Sequence, residues 1–337
     1  MKRVLFCVAI LLLASGWLFV APKAAITVRV VDETGKPLAG QPVRVSTYSH
    51  TEPGMEFGQD VWEGRTKLSD TNGVAAFVLR TRLYEVMYDV YPKPAGYYTD
   101  YGGEYCFERD PSDRWEPWNP TVEHVLKRIK NPVPMYVRYF GSGGDKRLPA
   151  TNEAVGFDLM VSDWLPPHGK GAVADFIFRL DAEELPVEEG YYEKKPFAYR
   201  LHKAKFTLTF SNPGDGIQPF RVKLRTGSGL RSPTVAPLDG YVPRLDRFDN
   251  LYAQDRGEHN FDDEEQNYLF RVRSEMKDGE VVRACYGKIY GRLGWDWKGG
   301  ISFLYYLNPD PTSRSLEFDT KRNLYKPQKG ETYSPGP

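Results

Sequence analysis

The residues best suited to chemistry in this sequence are aromatic. Tyr97, Tyr98, Tyr101, Tyr105, Phe107, Trp115 and Trp118 crowd a stretch that also holds Gly102, Gly103 and Pro117. An aromatic face stacks on the C–H side of a sugar ring, and a phenol or indole edge bonds hydroxyls. Tyr97, Tyr98, Tyr101, Trp115 and Trp118 are therefore the expected ligand-binding residues, with a glycan as the expected ligand class. Exposed together, they would form a contiguous apolar patch of the kind that marks a site. The blander alternative, which the composition favours, is a long loop packed over the domain by its own aromatics.

Other chemistries find less support. The five histidines, His50, His124, His168, His202 and His259, are scattered, with no His-Glu-x-x-His and no Cys-x-x-Cys, so no metal site is expected. Gly-x-Ser-x-Gly is absent, and no catalytic residue can be named. The densest acidic run, Asp262-Asp263-Glu264-Glu265, lacks the spacing of a calcium loop and reads as a solvated loop. Glycoside hydrolysis needs two carboxylates about 5–10 Å apart across a cleft. Among 45 acidic residues no pair stands out by spacing alone. No cofactor is expected. Pro167-His168-Gly169-Lys170-Gly171 reads as a turn between strands, and Trp295 and Trp297, on one strand face, read as core.

The elements that must carry these residues are strands. Ile26, Val28 and Val30 alternate on one face, as do Val43 and Val45. Between the runs stand Asp32-Glu33-Thr34-Gly35 and Ser69-Asp70-Thr71-Asn72-Gly73, turn sequences in which Gly supplies a positive φ. Short strands separated by such turns indicate a sandwich. Residues 121–130 fit a helix or a strand. Pro120 and Pro132 fence the segment, and the strand is preferred.

The order strand, Asp32-x-x-Gly35-x-Pro37-Leu38-x-Gly40-x-x-Val43, then Asp70-x-Asn72-Gly73-x-x-x-Phe77, resembles the carboxypeptidase regulatory-like domain. That family is transthyretin-like, an immunoglobulin-like β-sandwich. The clear match covers residues 26–80, and the resemblance implies an accessory module without the zinc-binding catalytic domain it accompanies. Residues 49–65 and 92–120 are longer than the family's usual loops.

Farther on, Phe157-Leu159-Val161, Phe176-Phe178-Leu180 and Phe206-Leu208-Phe210 alternate, and hairpins are expected around Asp278-Gly279 and Lys298-Gly299-Gly300. This second part resembles uncharacterised exported bacterial proteins, which implies no chemistry. At the start, Lys2 and Arg3 precede an uncharged run from Val4 to Ala21, a signal peptide or an uncleaved N-terminal membrane anchor. Either places the mature chain outside the cytoplasm. An oxidising compartment allows Cys106 and Cys285 to pair. Two separate thiols are the preferred reading, because the two lie in different expected domains.

The expected chain is thus all-β. A signal or anchor fills residues 1–25, an immunoglobulin-like sandwich 26–130, a linker 131–134, a second β-rich domain 135–326 and a disordered tail 327–337. Lys plus Arg and Asp plus Glu number 45 each, and that balance gives no electrostatic footprint for nucleic acid. The expected function is a non-enzymatic, exported binding or cell-envelope surface module, with a glycan or another envelope protein as partner. Contact with membrane is expected only through an uncleaved N-terminal segment. The alternatives are a polysaccharide-acting hydrolase with a carboxylate pair in the second domain, and a purely structural assembly protein.

Overall fold

The structure, a computed structural model, describes residues 21–50, 60–98, 101–108, 114–141, 146–192, 195–222, 227–326 and 335–337. Residues 1–20 of the expected signal or anchor at 1–25, and residues 327–334 of the expected tail at 327–337, lie outside the described residues, whereas Lys23, Ala24 and Ala25 already belong to the first strand, with both alanines buried. Among the described residues every regular element is a strand. The chain divides into two compact units, one formed by residues up to Arg128 with Arg225–Gly229, the other by Ile129–Leu224 and Leu230–Pro337.

The first unit is an immunoglobulin-like sandwich of seven strands: β1 (Lys23–Asp32), β2 (Pro42–His50), β3 (Asp60–Leu68), β4 (Val74–Arg80), β5 (Glu85–Val90), β6 (Gly103–Cys106) and β7 (Thr121–Leu126). One sheet has the order β4-β1-β7 and the other β3-β2-β5-β6. The alternation read in the sequence faces inward: Ile26, Val28, Val30, Val43, Val45, Phe77 and Val86 are all buried. Each such side chain contributes about 1.5–3 kcal/mol by leaving water. The two turns are closed by their aspartates. Asp32 Oδ1 accepts from the Thr34 and Lys36 amides, and Asp70 Oδ1 from those of Asn72 and Val74. The ambiguous segment becomes β7 because its backbone pairs in parallel with β1, Thr27 opposite Thr121 through Asp32 opposite Leu126.

The second unit opens with β8 (Val133–Phe140), β9 (Ala154–Asp158), β10 (Asp163–Trp164), β11 (Phe176–Glu184), β12 (Glu188–Tyr192), β13 (Lys195–Tyr199) and β14 (His202–Thr209). It continues with β15 (Gly216–Arg221), β16 (Arg244–Ala253), β17 (Arg256–His259), β18 (Gln266–Lys277), β19 (Glu280–Trp295), β20 (Ile301–Leu307) and β21 (Phe318–Asn323). Two six-stranded sheets, β10-β9-β11-β14-β16-β17 and β15-β18-β19-β20-β8-β21, share one core, and β12 and β13 pair apart. That core is rich in aromatic rings. Phe140 meets Phe157 at 4.7 Å between ring centroids, Phe157 meets Trp164 at 5.0 Å, and Phe176 meets Phe270 at 5.0 Å. Much of the chain's aromatic excess is therefore spent on packing in this unit.

Both hairpins form where the turn residues place them. Lys277 pairs with Glu280 across Asp278 and Gly279, both at positive φ, and Trp295 pairs with Ile301. The expected linker at 131–134 is corrected. Glu317 accepts from the Lys130 and Asn131 amides, and Val133 both donates to the Glu317 carbonyl and opens β8. The prolines there begin an element of the second unit. No disulfide joins Cys106 and Cys285, which belong to different units.

Candidate functional site

The five aromatic residues singled out by the sequence do not form one surface. Trp115 is buried, donates its indole N–H to the Thr81 carbonyl at 2.9 Å and stacks against Phe107 at 6.2 Å. Its amide donates to the Lys23 carbonyl at 2.7 Å, tying the loop to the start of β1. Tyr97 is buried too, with the Arg128 guanidinium 5.0 Å over its ring, and Tyr98 is buried with its amide bonded to the Lys127 carbonyl. These three are packing residues, because the loop needs its own apolar groups to cover the end of the sandwich. Only Tyr101, 49% exposed, and Trp118, 40% exposed, face solvent. Trp118 lies under the Arg114 guanidinium at 5.6 Å.

Tyr101 instead edges a groove on the outer face of the sheet β3-β2-β5-β6. The register explains the hollow. Gly64, Ser46 and Met87 stand opposite one another on β3, β2 and β5, and the next outward position pairs Arg44 with Asp89. Gly64 and Ser46 are small, so the sheet is low there. The rung of Arg44 and Asp89 rises on one side, with Met87, Tyr101 and Gly102 also lining the space. The cavity is about 480 Å³, within the roughly 300–1,000 Å³ of small-molecule sites. Gly102 is required: its φ is +75°, and a Cβ would lie 2.5 Å from the Tyr88 carbonyl oxygen.

The polar wall is preorganised. Arg44 Nε donates to Asp89 Oδ1 at 3.0 Å, Nη2 donates to Oδ2, and the guanidinium lies 4.8 Å over Tyr91. Donating to the Asp89 carboxylate raises the Arg44 pKa, against the opposing effect of burial. The pair cancels its own charge while still offering donor and acceptor edges. Such a wall suits hydroxyls better than it suits an ion.

The other sequence candidates are used structurally. The turn at 167–171 wraps on Asp163, whose Oδ2 accepts from the Lys170 amide at 2.9 Å. His202 stacks on Trp297 at 4.5 Å, and Trp295 on Phe206 at 5.3 Å. No group of His, Cys, Asp and Glu among the described residues is arranged to hold a metal ion. The acidic run is not a solvated loop at its first residue. The Asp262 side chain is buried, and its Oδ1 accepts from Arg247 Nε and Nη2 at 2.9 and 2.8 Å and from the Tyr268 hydroxyl at 2.6 Å. Burial and the Asp262 carboxylate together push the Tyr268 phenol far above its ordinary range.

Asp158 and Asp175 do converge in the second unit, on Arg273. Arg273 Nε donates to Asp175 Oδ1 at 2.7 Å, and Nη2 donates to Asp175 Oδ2 at 2.9 Å and to Asp158 Oδ1 at 3.0 Å. Asp158 also accepts from the amides of Met160, Val161, Ala172 and Val173. Burial works to raise its pKa, but the amides of Ala172, Val173 and Val161 together with Arg273 outweigh it and hold the group low. Burial raises Asp175, which has only the Leu159 amide besides the arginine. Both carboxylates are buried and their oxygens are occupied, so no sugar reaches them. Sequence reasoning missed this cluster because nothing in the spacing of residues 158, 175 and 273 ties them together. The groove was missed too, since Arg44, Ser46 and Gly64 alternate like any solvent-facing strand residues.

No family model matches the chain, and no curated protein matches it. Among solved structures, a streptococcal ancillary pilin overlaps 60% of this chain and 56% of its own length at 13% identity, with a TM-score of 0.23. The major pilin SpaD from Corynebacterium diphtheriae overlaps 77% of this chain and 90% of its own, at 12% identity and a TM-score of 0.23. BcpA, the major pilin subunit of Bacillus cereus, overlaps 84% and 95% at 10% identity and a TM-score of 0.22. The chain thus spans little more than half of the streptococcal pilin. Overlaps this loose carry nothing about activity.

Proposed function

We propose that this chain is an exported, extracytoplasmic binding protein and that the groove beside Tyr101 is its ligand face, taking a neutral glycan. The single observation behind the reading is the combination within one cavity of an exposed phenol ring, the Met87 side chain and a self-neutralised Arg44–Asp89 pair. A sugar ring offers C–H faces to the first two and hydroxyls to the third. The first unit then serves as an accessory module of the carboxypeptidase regulatory-like kind, which binds without turning over its ligand. The sealed Asp158–Asp175 pair speaks against the hydrolase alternative, because its acids are engaged and have no open cleft.

A glycan array followed by calorimetry on the best hit tests this. Stacking of a ring on an aromatic is worth about 1–3 kcal/mol, so Tyr101→Ala should weaken binding roughly 5- to 150-fold at an unchanged melting temperature. An array with no neutral glycan bound, or a hit indifferent to Tyr101→Ala, removes the reading.

A further inference from the structure

A second cavity lies wholly in the second unit and has a different chemistry. It is about 390 Å³ and opens beside the β19–β20 hairpin, where Lys146, Phe261, Arg292, Trp295, Asp296 and Ser302 line it. Its floor depends on glycine. A Cβ at Gly294 would lie 2.5 Å from Ser302 Oγ, and one at Gly300 would lie 2.2 Å from Asp296 Oδ2. The end of β19 and the residue before β20 are therefore both bare of side chain in the lining.

The charges in this pocket are unevenly engaged. Asp262, at the rear, is neutralised by Arg247. Asp296 is turned into its own hairpin, where Oδ1 accepts from the Lys298 and Gly300 amides at 2.8 and 3.0 Å. Arg292 and Lys146 are both exposed, and no carboxylate lies within ion-pair distance of either among the described residues. Among the described residues, Asp262 is taken by Arg247 and Asp296 by backbone amides, so Arg292 and Lys146, the latter 6.0 Å over the Phe140 ring, are the cations left for an incoming anion. Its walls are aromatic: Phe261 packs on Trp295 at 5.3 Å, and Phe261 is itself 42% exposed. A concave site with a forked donor, a second cation and an apolar wall is built for a compact organic anion.

We infer that this pocket binds a carboxylate carried on a sugar-sized ring, with Arg292 and Lys146 on the carboxylate and Phe261 and Trp295 against the ring. The site is independent of the Tyr101 groove, which lies in the first unit and whose one cation, Arg44, is paired with Asp89. Glucuronate is the probe and glucose the control, added to the full chain while the Trp295 indole N–H is followed by NMR. Its cross-peak is assigned by its loss in Trp295→Phe. Glucuronate should shift that signal saturably, glucose at equal concentration should not, and added salt should weaken the response. A hydrogen-bonded charge pair is commonly worth a factor of about ten or more, so Arg292→Ala should raise the glucuronate Kd at least about tenfold. Tyr101→Ala should leave it unchanged, and Arg292→Ala should leave any neutral-glycan affinity unchanged. An unmoved Trp295 signal, an equal response to glucose, or a Kd insensitive to Arg292→Ala would overturn the inference.

Discussion

Replacing Arg273 by Met removes the one cation that serves two buried carboxylates. Asp158 would keep its four backbone amides, but Asp175 would keep only the Leu159 amide. Breaking a buried pair by deleting one partner costs about 3–5 kcal/mol, a large share of the roughly 5–15 kcal/mol that holds a domain folded. For a unit of this size the melting temperature should fall by about 6–20 °C. The pH dependence identifies the cause. In the native chain Asp158 has a lowered pKa, so its contribution is complete above its unfolded value and fades as pH falls through the folded one. In the variant Asp175 loses its cation while burial still raises it, so the folded state holds a proton more tightly than the unfolded chain. The variant's deficit should therefore be largest at pH 7 and shrink as the pH falls towards 5. Urea unfolding of both proteins at the two pH values measures it. Pairing Arg273→Met with Asp175→Leu should recover much of the loss. A deficit below about 1 kcal/mol at pH 7, or one that grows on acidification, would refute the reasoning.

Trp115→Ala should cost about 3–5 kcal/mol of first-unit stability, read by thermal unfolding, because it empties a core position and orphans the Thr81 carbonyl. Lys288 is fully buried, with its ammonium nitrogen 2.7 Å from the Leu316 carbonyl and 2.9 Å from the Tyr290 hydroxyl. Burial lowers its pKa well below the usual lysine range, so the unfolded chain binds the extra proton. Stability should then rise with pH from the depressed folded pKa up to about 10.4, and Lys288→Met should flatten that rise between urea midpoints taken at two alkaline pH values. Gly287→Ala would set a Cβ 2.1 Å from Phe270 Cζ and 2.4 Å from the Tyr306 carbonyl oxygen, and should cost at least about 1–3 kcal/mol by overpacking.

The strands were legible wherever one face is buried and the other wet. Ile26, Val28 and Val30 announce β1 because period-2 burial is written directly into residue type, and Asp278-Gly279 announces a hairpin because only such residues adopt its backbone. Burial on both faces erased that signal at residues 284–290 of β19, every one of which is buried. A lysine within that run, Lys288, could not be recognised as interior from its type. Arg273 was equally hidden. It stands at a register shift between Val272 and Glu275, with a φ of 56°, and the bulge aims it at the end of β9 and the loop before β11, both more than 95 residues back. The aromatic cluster shows the limit for sites. Composition located the loop, but whether a ring faces in or out depends on the tertiary contacts of Trp115 with Thr81 and Phe107, which local sequence does not encode.

Methyl NMR on Met87 tests the groove most directly. The chain has six methionines, and Met87 lines the cavity beside Tyr101 and the Arg44–Asp89 pair. Adding the best neutral glycan from the array should shift the Met87 methyl signal along one saturable curve while leaving that of Met135, buried in the second unit, in place. Saturable binding that leaves Met87 unmoved would contradict the account, because the ligand would then be held somewhere else.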